Sequence, residues 1–218
     1  MRVVIAGGHG KIALRLERRL TDAGDQAVGV VRNPGHVADV ESAGAQAVVL
    51  DLEQTTVDAL AEVVRGADAV VFAAGGGPSS GAARKETVDK GAAMLLADAA
   101  ERAGVRRYLM VSSMGTDRAD PSSDDMFQVY LRAKKAADDD LRARDLDWTI
   151  VHPGRLTDDP GTGRVRVGRL ERGEVTREDV AAVLVAALHD DRTVGKDFDL
   201  LGGDQLLAQS IAQALAAL

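Results

Sequence analysis

Residues Val3–Leu16 read VVIAGGHGKIALRL: the apolar run Val3–Ala6 ends in Gly7 and Gly8, Gly10 follows, and an apolar, helix-like pattern then begins. A short, continuous apolar run is the mark of a strand covered on both faces. Glycine lets the backbone turn sharply and come close to a ligand. A helix starting just after such a turn offers free N–H groups and a positive partial charge to an anion. The spacing Gly7-x-x-Gly10-x-x-Ala13, set between a first strand and a first helix, is that of a turn built to receive a pyrophosphate. The bland alternative is a tight strand-to-helix connection with no ligand.

The same alternation continues outward. Strand-like runs fall at Ala27–Val31, Ala47–Leu50, Ala69–Ala73, Tyr108–Val111 and Trp148–Val151, with amphipathic segments such as Lys11–Asp22 and Glu86–Ala103 between them. Gly24, Gly44, Gly66 and Gly104 stand where helices would end. Strand and helix in alternation imply a doubly wound parallel sheet of the α/β, Rossmann type. The pattern loosens after Pro153. Thr157–Arg164 reads as a loop, Val165–Gly168 and Lys196–Leu201 as short strands, Thr176–Leu188 as a helix capped by Thr176 and Asp179, and Asp204–Leu218 as a last helix. We therefore expect one domain over residues 1–218, with 153–218 partly forming a small lobe on the substrate side.

Composition narrows the function. Aromatic residues are 3% of the chain, so an aliphatic core is required, and the net charge of −7 argues against a nucleic-acid binder. There is no cysteine, which removes disulfides, thiolate catalysis and zinc–thiolate sites. The histidines at 9, 36, 152 and 189 lack ligand spacing, so no metal is expected. No apolar stretch approaches a membrane span or a secretory signal, and a cytoplasmic location without a membrane partner is expected.

In this sheet type, ligands bind beyond the carboxyl ends of the strands. The second strand runs AVGVVRNP and places Arg32 where an acid would read the ribose hydroxyls of NAD. A guanidinium offers a planar fork for a 2'-phosphate, which favours NADP(H), with NAD(H) as the second candidate. Lys11 and His9 could add positive charge, or Arg32 could be a solvated strand-end residue. Asp51 follows the third strand, and Ala73, Ala74 and Gly75 follow the fourth, where they would flank adenine and ribose. The fifth strand ends in MVSSMG, bringing Ser112 and Ser113 to the same edge. Later, YLRAK puts Tyr130 and Lys134 on one helix face. An ammonium near a phenol stabilises the phenolate and makes tyrosine a usable acid or base. Taken singly, the pair also fits a half-buried tyrosine beside a surface lysine.

The motifs GGHGKIA, VVRNP, DL at Asp51–Leu52, VFAAG, VSSMG, YLRAK and VHPGRLT together resemble the short-chain dehydrogenase/reductase superfamily. The likeness is strongest to its atypical branch of compact NAD(P)-binding, NmrA-like and epimerase/dehydratase-like proteins, and it spans nearly the whole chain. It implies that Tyr130 is the acid/base, that Lys134 orients the nicotinamide ribose and tunes the tyrosine, and that Ser113, with Ser112 as neighbour, holds the substrate oxygen. It also implies that Gly7, His9, Gly10, Lys11, Ile12, Arg32, Asp51, Leu52, Ala73–Gly75 and Ser112 hold the cofactor, with Pro153, Gly154 and Leu156 passing the carboxamide. Ala13 replaces a common third glycine, and His152 stands where arginine is frequent. The implied activity is hydride transfer to a small carbonyl or quinone-like substrate by a monomer or homodimer. An NADP(H)-binding redox sensor and a sugar-type epimerase/dehydratase stay open. The polar stretch Thr116–Asp125 is expected as a substrate lid. The arginines at 155, 164, 166, 169 and 172 either recognise an anion or are solvated charge.

Overall fold

The computed structural model describes residues 1–77 and 80–209. In chain order the first half comprises β1 (Arg2–Ala6), α1 (Lys11–Asp22), β2 (Gln26–Val31), α2 (Val37–Ser42), β3 (Gln46–Val49), α3 (Val57–Val64), β4 (Ala69–Phe72), α4 (Ala82–Arg84) and α5 (Ala93–Ala103). The second half comprises β5 (Arg107–Val111), α6 (Met126–Arg142), β6 (Asp147–Pro153), β7 (Arg155–Thr157), β8 (Arg164–Gly168), β9 (Glu174–Thr176), α7 (Arg177–Leu188), β10 (Lys196–Gly202) and β11 (Gln205–Leu206). Every strand expected from an apolar run is present to within a residue or two at its ends. Gly24, Gly44, Gly66 and Gly104 all take left-handed φ values, between +72° and +86°.

The main sheet has the order β11-β8-β10-β6-β5-β4-β1-β2-β3. Strands β1 to β6 are mutually parallel, β10 joins β6 in parallel, and β8 and β11 add antiparallel pairs at the far edge. The fold is thus a mostly parallel, Rossmann-like α/β sheet with helices on both faces. Continuous apolar strands follow from that cover. Val3 and Ile5 of β1 enter the core under α1 and α7, whereas Val4 and Ala6 enter the core under α3 and α5. The same division separates Leu109 and Val111 of β5 from Tyr108 and Met110.

The region after Pro153 is built onto this sheet rather than apart from it. β8, β10 and β11 extend the main sheet, and only β7 and β9 form a separate two-stranded ladder. Gln205–Leu206 is a strand where the last helix was expected to start, because its backbone pairs with Val165 and Arg164 of β8. Residues 210–218 of that expected helix lie outside the described residues. Arg107 fastens the region. Its guanidinium, brought down to about 10 by burial, donates to the Asp147 and Ala187 carbonyls at 2.7 Å and to the Thr149 and Thr193 hydroxyls at 2.9 and 2.7 Å. The helix expected over Glu86–Ala103 holds a change of pitch, with a π-helical stretch at Lys85–Ala92 leading into α5. No helix among the described residues is long and apolar enough to cross a membrane.

One charge inside this core is unsupported. Glu17 of α1 is fully buried, and neither carboxylate oxygen has a hydrogen-bond partner among the described residues. A methyl group at Gly29 would lie 2.5 Å from its Oε1, so it is pressed against β2. Burial pushes its carboxyl up to about 8. Between its ordinary value of 4.5 and that point, the unfolded chain releases a proton that the folded chain keeps. Stability is therefore expected to fall as pH rises through this window and to level off above it, a loss on the order of 3 kcal/mol by neutral pH. Glu17→Gln, neutral at every pH, should flatten the dependence in urea melts compared at about pH 5 and about pH 8.

Candidate functional site

The order of strands reverses between β1 and β4, and their carboxyl ends open a cleft there, the place where open α/β sheets receive ligands. It encloses about 260 Å3. The glycine turn forms its floor. Gly7 has φ +85°, and a Cβ there would lie 2.6 Å from the Ala74 Cα; a Cβ on Gly8 would lie 2.6 Å from the Gly29 Cα. The Gly10 amide donates to the Gly7 carbonyl at 2.8 Å, closing the turn. Gly10 then caps α1 with no side-chain hydrogen bond, and the first turn of the helix carries no acid. The free N–H groups at the start of α1 are thus left for an anion.

Gly7, His9, Gly10, Arg32, Asp51, Leu52, Ala73, Ala74 and Gly75, all anticipated, line this cleft. Two others do not. Lys11 turns outward to Asp158 at 2.5 Å, and Ile12 is buried in the core beneath the sheet. Neither side chain therefore belongs to the walls of the cleft. Arg32 is half exposed, and Nη1 meets Glu53 Oε2 at 3.0 Å. His36, Glu53, Arg84 and Val88, with Val30, Val31 and Leu50, complete the walls and had not been anticipated. His36 stacks on His9 with ring centres 3.6 Å apart. Asp51 accepts the Glu53 amide at 3.0 Å, so one carboxylate oxygen shapes the turn after β3.

The second cluster lies at the ends of β5 and β6. Lys134 is buried, and its ammonium donates to the Val111 carbonyl at 3.1 Å and, at the long distance of 3.5 Å, to that of Ala74, 3.7 Å from the Asp89 carboxylate. Burial lowers its proton affinity, and Asp89 and Asp138 pull the other way. The Ala74 contact joins this cluster to the cleft. Tyr130, one turn earlier on α6, is half-buried with Phe127 beside it and the Lys85 ammonium 5.3 Å from its ring centre. Burial pushes its phenol up to about 12, and the neighbouring Ser113 hydroxyl offsets part of that. The two serines have parted roles. Ser112 is buried and donates to Asp138 Oδ2 at 2.9 Å, while Ser113 makes only a long, 3.4 Å contact to the Met114 carbonyl. His152 also meets Asp138 Oδ2, at 2.9 Å.

Pro153, Gly154 and Leu156 lie where β6 passes into β7, outside the walls of the cleft. Gly154 is in close contact there, since a Cβ would run into the Gly173 carbonyl oxygen. The polar stretch Thr116–Asp125 is tied down by Arg132, which donates to the Asp120 and Ser123 carbonyls. Within the arginine run, Arg155 pairs with Glu174, Arg169 with Asp197, and Arg164 donates to the Asp204 carbonyl, which favours ordinary charge compensation.

Sequence and structure comparisons agree with this geometry. A family model described as NAD(P)H-binding matches residues 7–191. A Bacillus subtilis protein named uncharacterized sugar epimerase YhfK is 36% identical over 213 residues, covering 97% of this chain and 99% of its own. Among solved structures, a Bacillus halodurans protein called an NAD-dependent epimerase/dehydratase superposes with TM-score 0.91 at 37% identity, covering 98% of this chain and 99% of its own. The oxidoreductase ylbE of Lactococcus lactis superposes with TM-score 0.88 at 26% identity, covering 99% and 97%.

Asp138 gathers the Ser112 hydroxyl and the His152 ring in a fully buried place. Asp138→Ala leaves both without their acceptor and is expected to cost about 1–3 kcal/mol. Asp138→Asn, which keeps an acceptor oxygen, should cost less; urea unfolding of the two variants measures the difference.

Proposed function

Because the chain belongs to the NAD(P)H-binding family, in the atypical short-chain dehydrogenase/reductase branch, we propose that it is an NADP(H)-dependent oxidoreductase reducing a small carbonyl or quinone-like substrate, with Tyr130 as proton donor. The observation that carries this reading is the buried Lys134 ammonium, held at the Val111 carbonyl and reaching toward Ala74, one helical turn from Tyr130. A protein that merely bound the cofactor would have no use for a buried cation one helical turn from a tyrosine at the sheet's carboxyl edge.

The residues fit the cofactor. The glycine turn and the uncapped start of α1, including the Lys11 and Ile12 amides, would hold the pyrophosphate. Arg32 would take the 2'-phosphate, Asp51 and Leu52 the adenine, Ala73–Gly75 the ribose, Lys134 the nicotinamide ribose, and Pro153, Gly154 and Leu156 the carboxamide. When bound, the nicotinamide supplies the reducing equivalent as hydride. Tyr130 gives its phenolic proton to the substrate oxygen. A phenol pushed up to about 12 by burial keeps its proton at neutral pH but gives it up less readily than a free phenol, so donation depends on stabilising the phenolate that remains. Ser113, not committed to Asp138, is free to donate a hydrogen bond to the same oxygen. The Lys134 charge lowers the cost of the phenolate left behind. The names of the Bacillus relatives keep a sugar-type epimerase/dehydratase as the second reading, which would turn over substrate without net loss of NADPH.

Arg32→Ala is expected to weaken NADPH binding by about 1.5–3 kcal/mol and leave NADH nearly unchanged, as read by cofactor fluorescence titration. Equal losses would remove Arg32 from 2'-phosphate recognition. Tyr130→Phe keeps the ring and should lower single-turnover reduction by about 10²–10⁴-fold on a verified carbonyl substrate, with NADPH affinity intact. A fully active variant sinks the proposed proton donor. Absence of turnover on a broad panel, together with a protein partner whose binding follows the NADPH/NADP ratio, would select the sensor instead.

A further inference from the structure

The Arg32 end of the cleft contains an anion of its own. Glu53 Oε2 sits between two guanidinium groups, Arg32 Nη1 and Arg84 Nη2, each at 3.0 Å. Its other oxygen accepts the Thr87 hydroxyl at 2.7 Å. Arg32 follows β2, Glu53 follows β3, and Arg84 and Thr87 belong to the helical segment after β4. Separate parts of the chain thus converge on one carboxylate at the wall of the cleft. Arg84 Nε is buried and has no hydrogen-bond partner among the described residues. That is an unused donor on a charged group, and such donors are costly to leave unmet.

We propose that Arg84 is a second reader of the 2'-phosphate and that Glu53 is an internal competitor for the same pair of arginines, setting how strongly NADP(H) is preferred over NAD(H). The proposal rests on the reading of Arg32 as the 2'-phosphate residue and adds residues on which nothing in the motif pattern bears. Two guanidinium forks facing one point suit a doubly charged phosphate better than a single carboxylate. The phosphate adds charge and acceptor oxygens, one of which can meet the idle Arg84 Nε. Glu53 must yield its place or share it, and each phosphate contact is formed against that carboxylate. NADH brings no such group and leaves the Glu53 contacts as they are.

The test is a fluorescence titration of NADPH and of NADH against the wild-type chain, Glu53→Gln, Arg84→Ala and Arg32→Ala. Glu53→Gln keeps the acceptor for Thr87 and removes the charge. It is expected to tighten NADPH about fivefold, the scale of one partly exposed ion pair, with NADH unchanged. Arg84→Ala is expected to weaken NADPH about tenfold with NADH unchanged, and this variant carries the test if Glu53→Gln does not fold. Weaker NADPH binding by Glu53→Gln would overturn the proposal, since Glu53 would then serve to position the arginines. A loss confined to NADH would overturn it too, making Glu53 a ribose-hydroxyl reader. If Glu53→Gln and Arg84→Ala leave both cofactors unaffected while Arg32→Ala weakens NADPH alone, the inference fails and the reading of Arg32 stands. If Arg32→Ala affects both cofactors equally, that reading fails and takes the inference with it.

Discussion

At residue 7 there is no room for a side chain. The turn leaving β1 passes so close to the end of β4 that a Cβ on Gly7 would lie 2.6 Å from the Ala74 Cα. The backbone there is also left-handed, at φ +85°, where a side chain adds strain. From this close approach follows the rest of the site. It brings the ends of β1 and β4 together, aims the start of α1 into the space between them, and leaves the helix capped by Gly10 alone. A helix N-terminus without a side-chain cap at the sheet's reversal point is the direct consequence. The Ala74 carbonyl, fixed by the same approach, then faces the Lys134 ammonium from the other side.

Around that edge the protein buries charge to an unusual degree. Lys85, Asp89, Lys134 and Asp138 are all nearly excluded from solvent. A buried charge is tolerated only when its partners are well placed. Asp89 takes the Gly76 amide and lies near Lys134, and Asp138 takes Ser112 and His152, yet one oxygen of each has no hydrogen-bond partner among the described residues. Packing of this kind sets Lys134 and Ser112 among fixed polar neighbours. It also separates the adjacent serines: Ser112 is committed to Asp138, whereas Ser113 makes only the long contact to the Met114 carbonyl.

Glu17 and Arg107 show how differently a buried charge can be housed. Arg107 finds carbonyl and hydroxyl acceptors from β6, α7 and the turn at Asp191–Thr193, and so ties the C-terminal region to the sheet. Glu17 finds none, and its carboxyl moves toward the neutral form instead. The first is an anchor between distant segments. The second lies directly under the glycine turn, beside Gly8 and Gly29, and makes the stability of that region depend on pH.

Much of this protein was legible in its residues. Apolar runs bounded by glycines located the first six strands, since a strand covered on both faces has no polar position to interrupt it. The turn Gly7–Gly10 and the pairing of Tyr130 with Lys134 were equally visible, being local patterns whose spacing already states which groups share an edge or a face. Other features could not be seen that way, because they depend on segments that meet only after folding. The side chain of Lys11 looked available to the cleft but turns to Asp158, a residue far along the chain. The run after Lys85 reads as ordinary helix, and tertiary packing decides its π-helical pitch and the burial of Lys85 and Asp89. Gln205–Leu206 reads as the start of a helix and is drawn into the sheet by the free edge of β8. Glu53 lies beside the recognisable Asp51–Leu52, yet nothing near it in sequence announces Arg32 and Arg84. Periodicity records which face a residue shows, whereas the partner that meets it there is chosen by strand order and by the packing of helices across the sheet.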